Sequence, residues 1–107
     1  MATIPGKSGT KYQYTQHNST STLPSGAGNY AFMRTDTQGG WELIYAGESE
    51  NIRNRVKQNL EGYTDQSECI NNQNPSEIWV NENHMGKAER CAEEADILAE
   101  QYSYCNN

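Results

Sequence analysis

The chain is short of the residues from which most small folds are built. It has one phenylalanine, three prolines and three cysteines in 107 residues, and hydrophobic side chains make up only 34% of it. Its mean hydropathy is -0.99. Such a chain can bury one small core and no more, so a single domain is expected. Three cysteines do not make a paired disulfide framework, and reduced thiols are expected. No apolar stretch approaches the ~20 residues of a membrane-spanning helix, so no membrane partner is expected. Cations are scarce as well. Eight Lys+Arg stand against fourteen Asp+Glu, for a net charge of -6. That excludes a surface dedicated to coating nucleic acid, because phosphate contacts need positive charge. The start of the chain, Met1 to Gly6, has no charged segment followed by an apolar one. The expectation is a cytoplasmic protein.

What is present falls into an ordered series of elements. Residues 1–10 read as a loosely held segment and 11–107 as the domain. Lys11 to Gln16 has the composition of a short strand, and Thr20 to Gly28 reads as loop. Tyr30-Ala31-Phe32-Met33-Arg34 and Trp41-Glu42-Leu43-Ile44-Tyr45-Ala46 read as two strands joined by a glycine-containing turn. A helix follows, with Ser49 as its expected N-cap, Gly62 as its stop and Ile52, Val56 and Leu60 as its apolar stripe. Residues 63–75 read as loop with room for a helical turn. Ser76 to Asn81 is the next strand. The last helix shows Ala88, Cys91, Ala92, Ala95, Leu98, Ala99 and Tyr102 as one stripe at three- and four-residue steps. The implied fold class is α+β: a small three-stranded antiparallel sheet flanked by helices, in the order strand-strand-helix-strand-helix.

Two features carry chemistry. On a helical wheel Glu89, Glu93, Asp96 and Glu100 share one flank, whereas Glu94 sits between Leu98 and Ile97. A carboxylate bracketed by apolar residues is partly desolvated and calls for a partner. The wheel alone favours an ion pair with Arg90. The second feature is tyrosine, of which there are seven. A tyrosine that only packs has no use for its hydroxyl. Tyr30 and Tyr45 lie on paired strands and can meet at one end of the hairpin, with Arg53, Arg55 and Lys57 on the next helix as neighbouring cations. Amphipathic packing at the edge of the core is the competing reading. Cys69, Cys91, Cys105 and His84 include no short metal-ligand pair, so zinc is not expected. Cys91 reads as a small core residue.

Taken in order, these pieces resemble the GIY-YIG nuclease domain. Gly28-Asn29-Tyr30 stands for its first motif and Tyr45-Ala46-Gly47 for its second. Ser49 and Asn51-Ile52-Arg53-Asn54-Arg55 open the helix as in the family. Glu94-Ala95-Asp96-Ile97-Leu98 and the late Asn106 close the domain, with Arg90 one turn before the Glu. The resemblance runs from about Tyr30 to Asn106. It implies a divalent-metal-dependent endonuclease that hydrolyses phosphodiester bonds. Glu94 would hold Mg²⁺ or Mn²⁺, Tyr30 would activate the attacking water, and Tyr45 and Arg55 would orient and stabilise the phosphate. Arg53, Asn59 and Asn106 are the expected substrate-binding and bracing residues. The catalytic groups are expected on one concave surface.

The chain departs from the family pattern at Asn29 and Ala46, which replace aliphatic residues. Asn59 stands where many members have His, and Asn cannot carry a proton at neutral pH. The charge balance implies weak binding of nucleic acid, with DNA the expected substrate, and leaves a protein partner or a homodimer open. The alternative to an endonuclease is a catalytically weak or inactive GIY-YIG-fold protein that serves as an interaction module. An acidic DNA mimic would explain the charge but not the order of the motifs.

Overall fold

A computed structural model describes residues 2–106 of the chain. Five strands form one antiparallel sheet: β1 (Ala2–Pro5), β2 (Lys11–His17), β3 (Gly28–Thr35), β4 (Trp41–Ser49) and β5 (Glu77–Glu82). Their spatial order is β1-β2-β5-β3-β4. The helices are α1 (Ile52–Leu60), α2 (Ser67–Asn72) and α3 (Lys87–Glu100), with one 3₁₀ turn at Thr20–Thr22. The expected three strands are therefore the β4-β3-β5 half of a wider sheet. The N-terminal residues extend it instead of lying loose. Ile4 is fully buried and Ala2–Pro5 pairs with Lys11–Tyr14 across a turn closed by Gly9 at φ 92°. One buried isoleucine on an alternating strand suffices to hold a polar terminal segment to the sheet.

Strand alternation divides the interior into two cores. On one face, Tyr30 and Phe32 join Ile44, Ile78 and Val80 under Ile52 and Val56 of α1 and Ile70 of α2. On the other, Ala31, Met33, Leu43, Ala46 and Trp79 join Ile4, Tyr14 and Ile97 of α3. The register of β3 against β4 shifts between Phe32 and Met33, where Tyr45 faces Phe32 and Leu43 faces Met33. Ile44 is the extra residue of this bulge, and its carbonyl is taken by the C-terminal tail: Ser103 Oγ donates to it at 3.0 Å and Cys105 N at 2.8 Å. The tail thus covers the outer edge of β4, which would otherwise present unpaired backbone groups.

Helix α1 is capped by Asn51, whose side chain accepts from Asn54 N, and not by Ser49. Ser49 instead bonds the backbone of Asn51 in both directions, at 3.0 Å each. Gly62 at φ 94° follows the C-cap, a left-handed position that favours glycine.

Helix α3 is turned away from its expected orientation. Its buried residues are Arg90, Glu93 and Ile97. Ala88, Cys91, Ala92, Ala95 and Ala99 of the expected stripe are exposed, and Tyr102 lies beyond the helix at 69% exposure. The reason is polar pairing. Tyr14 Oη donates to Glu93 Oε2 at 2.6 Å, and Asn81 Nδ2 lies 3.1 Å from both carboxylate oxygens. Tyr12 Oη donates to Asp96 at 2.7 Å. Alanines forfeit little on exposure, because each has little apolar area to bury. The charge-assisted bonds and the burial of Ile97 decide the rotation.

The cysteines depart from the expected reduced state. Cys69 of α2 and Cys105 of the tail form a disulfide with a Cα–Cα distance of 5.8 Å, and Cys91 is free and exposed. Two of the three pair because the fold brings α2 against the tail, which a count of cysteines does not reveal. Among the described residues no group of three or more His, Cys, Asp or Glu is placed to hold a metal.

Candidate functional site

The two motif glycines are explained by close approach. A Cβ on Gly28 would run into the carbonyl oxygen of Asn81 and lie 2.8 Å from Ile52 Cδ1. Gly47 pairs directly with Tyr30, and a Cβ there would lie 2.6 Å from the Tyr30 hydroxyl. Glycine at 47 therefore lets the Tyr30 ring lie flat across β4. Tyr30 and Tyr45 share the α1 face of the sheet, with ring centroids 6.3 Å apart.

Asn59 meets this pair from α1. It is buried, and its Nδ2 donates to the Tyr30 hydroxyl at 2.9 Å. Its Oδ1 accepts from Thr64 Oγ1 at 2.6 Å. With its carbonyl occupied, the amide can only donate to Tyr30, so the tyrosine's own proton is directed elsewhere. Asn59 is an internal partner of Tyr30 and is not presented for substrate. Arg53 is also spent on the fold: its guanidinium clasps the carbonyl of Leu23, with Nε at 2.9 Å. Arg55, one turn from Asn59, is exposed and makes no side-chain bond among the described residues.

Glu94 reaches the site around the β4 edge from the helix on the opposite face. Asn29 and Arg90 place it there. Asn29 is buried on β3, and its Nδ2 donates to the Arg90 carbonyl at 2.9 Å. Arg90 Nε in turn holds Glu48 Oε2 of β4 at 3.1 Å, with only 4% of the arginine side chain exposed. Arg90 is therefore the partner of Glu48, and the Glu94–Arg90 ion pair expected from the wheel is not formed. Two strands thus grip the turn of α3 that precedes Glu94. Asn29, an apparent departure from the motif, supplies one of those grips. Its Oδ1 is a buried acceptor without a partner. Asn106 braces the other side of β4: its side chain accepts from Ala46 N at 2.8 Å and donates to Ala46 O at 2.9 Å, beside Tyr45.

The four central groups share one electrostatic environment. Burial raises the Tyr30 pKa far above the ordinary tyrosine value, and Tyr45 adds to the rise, while the Asn59 bond and the Arg55 charge oppose it. Burial and then the Glu94 charge raise Tyr45, and Arg55 opposes them. Burial and then Glu48 raise Glu94. Glu94 is half-buried yet carries no hydrogen bond or ion pair among the described residues. The site therefore wraps the edge of β4, with tyrosines and Arg55 on one side and the unpaired carboxylate arriving from the other.

No protein-family model matches the chain, and no curated protein does. A solved structure does: the GIY-YIG N-terminal endonuclease domain of UvrC from Thermotoga maritima, a point mutant described as bound to its catalytic divalent cation. The TM-score is 0.63 over 80% of this chain and 88% of that one, at 20% sequence identity. The protein has a GIY-YIG fold. The expected order strand-strand-helix-strand-helix runs from β3 to α3 with α2 added before β5, and β1 and β2 widen the sheet beyond the three strands expected.

Of the residues singled out in the sequence, Arg55 and Glu94 both act by their charge on Tyr30 and Tyr45. Asn106 touches the backbone next to them, and Arg53 and Asn59 bond to the interior. Glu48 and Arg90 belong to the site as a pair. The signal for Glu48 was available in the sequence: an acid one residue after the second motif, on the strand facing Asn29.

Proposed function

We propose that this GIY-YIG protein is a divalent-metal-dependent endonuclease that hydrolyses phosphodiester bonds of nucleic acid, DNA being the expected substrate. The observation that carries this reading is Glu94. A half-buried carboxylate with no bonded partner, beside a second carboxylate, is costly unless a cation completes it. A single carboxylate, with water as the remaining ligands, suits a hard cation such as Mg²⁺ or Mn²⁺. Such a cation, held by Glu94, would lower the pKa of a bound water and draw charge from a phosphoryl oxygen. The protein's own residues have separable roles. Arg55 supplies a fixed positive charge to the phosphate as negative charge develops on it. Tyr30 and Tyr45 hold their protons at neutral pH, and positive charge brought to the site is what would release one of them to accept a proton from water. The Asn59 bond assists by stabilising the Tyr30 oxygen when it is deprotonated.

The test is cleavage of duplex, nicked, branched and single-stranded substrates with Mg²⁺ or Mn²⁺, by the wild type and by Glu94→Gln. The variant is expected to fall to background with its fold intact. The metal should also raise the melting temperature of the wild type and not of the variant. The sign of the pH dependence follows from the raised Glu94 pKa. The folded state favours the protonated carboxyl, so metal-free protein gains this contribution below the ordinary Glu pKa. It loses it as pH rises through the folded-state value. Glu94→Gln should flatten that part of the profile. One observation favours the interaction-module reading: Asn59 puts an obligate donor against Tyr30 where a proton carrier would be more useful. Absence of cleavage under every condition would leave that reading standing.

A further inference from the structure

A cleft of about 560 Å³ lies between the start of α1 and the first turn of α3, with Arg55 in its wall. Its charge is unlike that of the rest of the chain. Arg55, Lys87 and Arg90 line it against Glu48 and Glu50, in a protein of net charge -6. Arg90 and Glu48 neutralise each other at 3.1 Å. That leaves two cations facing one carboxylate, and neither Arg55 nor Lys87 has an ion pair among the described residues. Asn54 and Gln58 add exposed side-chain amides with no bonds of their own to the same wall. Lys57, also on α1, is exposed but does not line the cleft. Three further cations are spent or distant. Arg34 pairs with Glu42 at 3.0 Å and Arg53 holds Leu23 O. Lys11 lies on β2, three strands across the sheet from β4.

We propose that this cleft seats the sugar-phosphate backbone of a nucleic-acid strand next to the reacting phosphate, with Lys87 as the phosphate contact on the α3 side. The assignment rests on the function proposed above and extends it to a residue outside the four motif positions. Cations free of partners, together with neutral amide donors, match a polyanion of regularly spaced phosphates. A locally positive cleft on an acidic protein also admits a strand in one place while repelling it elsewhere. The cleft opens from Arg55, so a strand bound there is continuous with the site at the β4 edge.

The experiment is anisotropy titration of fluorescein-labelled DNA and RNA oligonucleotides, single-stranded and duplex, in EDTA so that no cleavage intervenes. Wild type is compared with Lys87→Glu, Lys87→Arg and Lys11→Glu. The last makes the same change of net charge far from the cleft. Lys87→Glu is expected to weaken binding about tenfold and to lower the salt slope by about 0.9, the loss of one phosphate contact. Lys87→Arg should keep wild-type affinity, and Lys11→Glu should change it less than about twofold. Equal losses in the two Glu variants, or no binding by the wild type, would overturn the proposal. Cleavage by the wild type without a Lys87 effect refutes the cleft and leaves the nuclease reading. A Lys87-specific effect without cleavage under any metal does the reverse.

Discussion

The two faces of the sheet are held by different forces. On the α1 face the buried set is almost wholly apolar, and the polar groups that enter it form one relay, Thr64 to Asn59 to Tyr30. On the α3 face the helix buries Arg90 and Glu93 with Ile97, and its contacts include carboxylates bonded to tyrosine and amide groups. Hydrophobic burial is non-directional and follows the apolar stripe. Hydrogen bonds are directional, and they can turn a helix whose apolar residues are mostly alanine. The contrast places the site where the two regimes meet, at the β4 edge. A rigid apolar wall carries the tyrosines there, and a polar grip sets Glu94.

The largest effect that sharpens this comparison lies on the α1 side. The Cys69–Cys105 bond closes a loop of sequence separation 36, tying α2 to the tail that covers β4. Reducing it, or replacing Cys105 by Ala, should cost about 3–5 kcal/mol by loop-closure entropy. Chemical denaturation with and without reductant measures this. Thiol titration of the unreduced, unfolded chain should find one reactive cysteine, Cys91. Three would show that the brace is not formed.

Next in size is Glu93. A periodicity reading places it on a solvated flank, where its removal is silent. The structure buries it against Tyr14 and beside the half-buried Asn81, so Glu93→Ala should cost about 2–3 kcal/mol by leaving the buried Tyr14 hydroxyl and the Asn81 amide without their acceptor. A cost under about 0.5 kcal/mol in denaturant unfolding would break the claim that polar bonds set the rotation of α3.

The smallest effect is the complementary test. Ala95 stands at the centre of the apparent apolar stripe yet is exposed. Ala95→Lys should change stability by no more than about 0.5 kcal/mol. Loss of several kcal/mol would return the alanine face to the interior and overturn the polar grip.

How much was legible follows the same division. The β3-β4 hairpin, α1 and β5 were readable because their alternation and helical spacing coincide with what they bury. β1 was missed because a single buried isoleucine in a polar segment leaves no periodic signal. The stripe on α3 was real as a pattern but wrong as an orientation, since a wheel ranks residues by hydropathy and cannot see donors on a facing strand. Glu94 stood out as a carboxylate between two apolar neighbours, but the wheel paired it with Arg90, whose partner is Glu48. Glu48 as the partner of Arg90 was not, since that pair joins residues 42 apart in sequence.

The order of the elements, the two tyrosine motifs with their glycines, and the positions of Arg55 and Glu94 were determined by sequence alone. Each depends on local spacing or on the steric need for a missing Cβ. Tertiary structure decided the rotation of α3, the disulfide, the retirement of Arg53 and Asn59 to the interior, and the gathering of Arg55 and Lys87 in one cleft. These depend on which groups meet across strands and helices far apart in the chain. Directional bonds between such groups leave no periodicity for a linear reading to find.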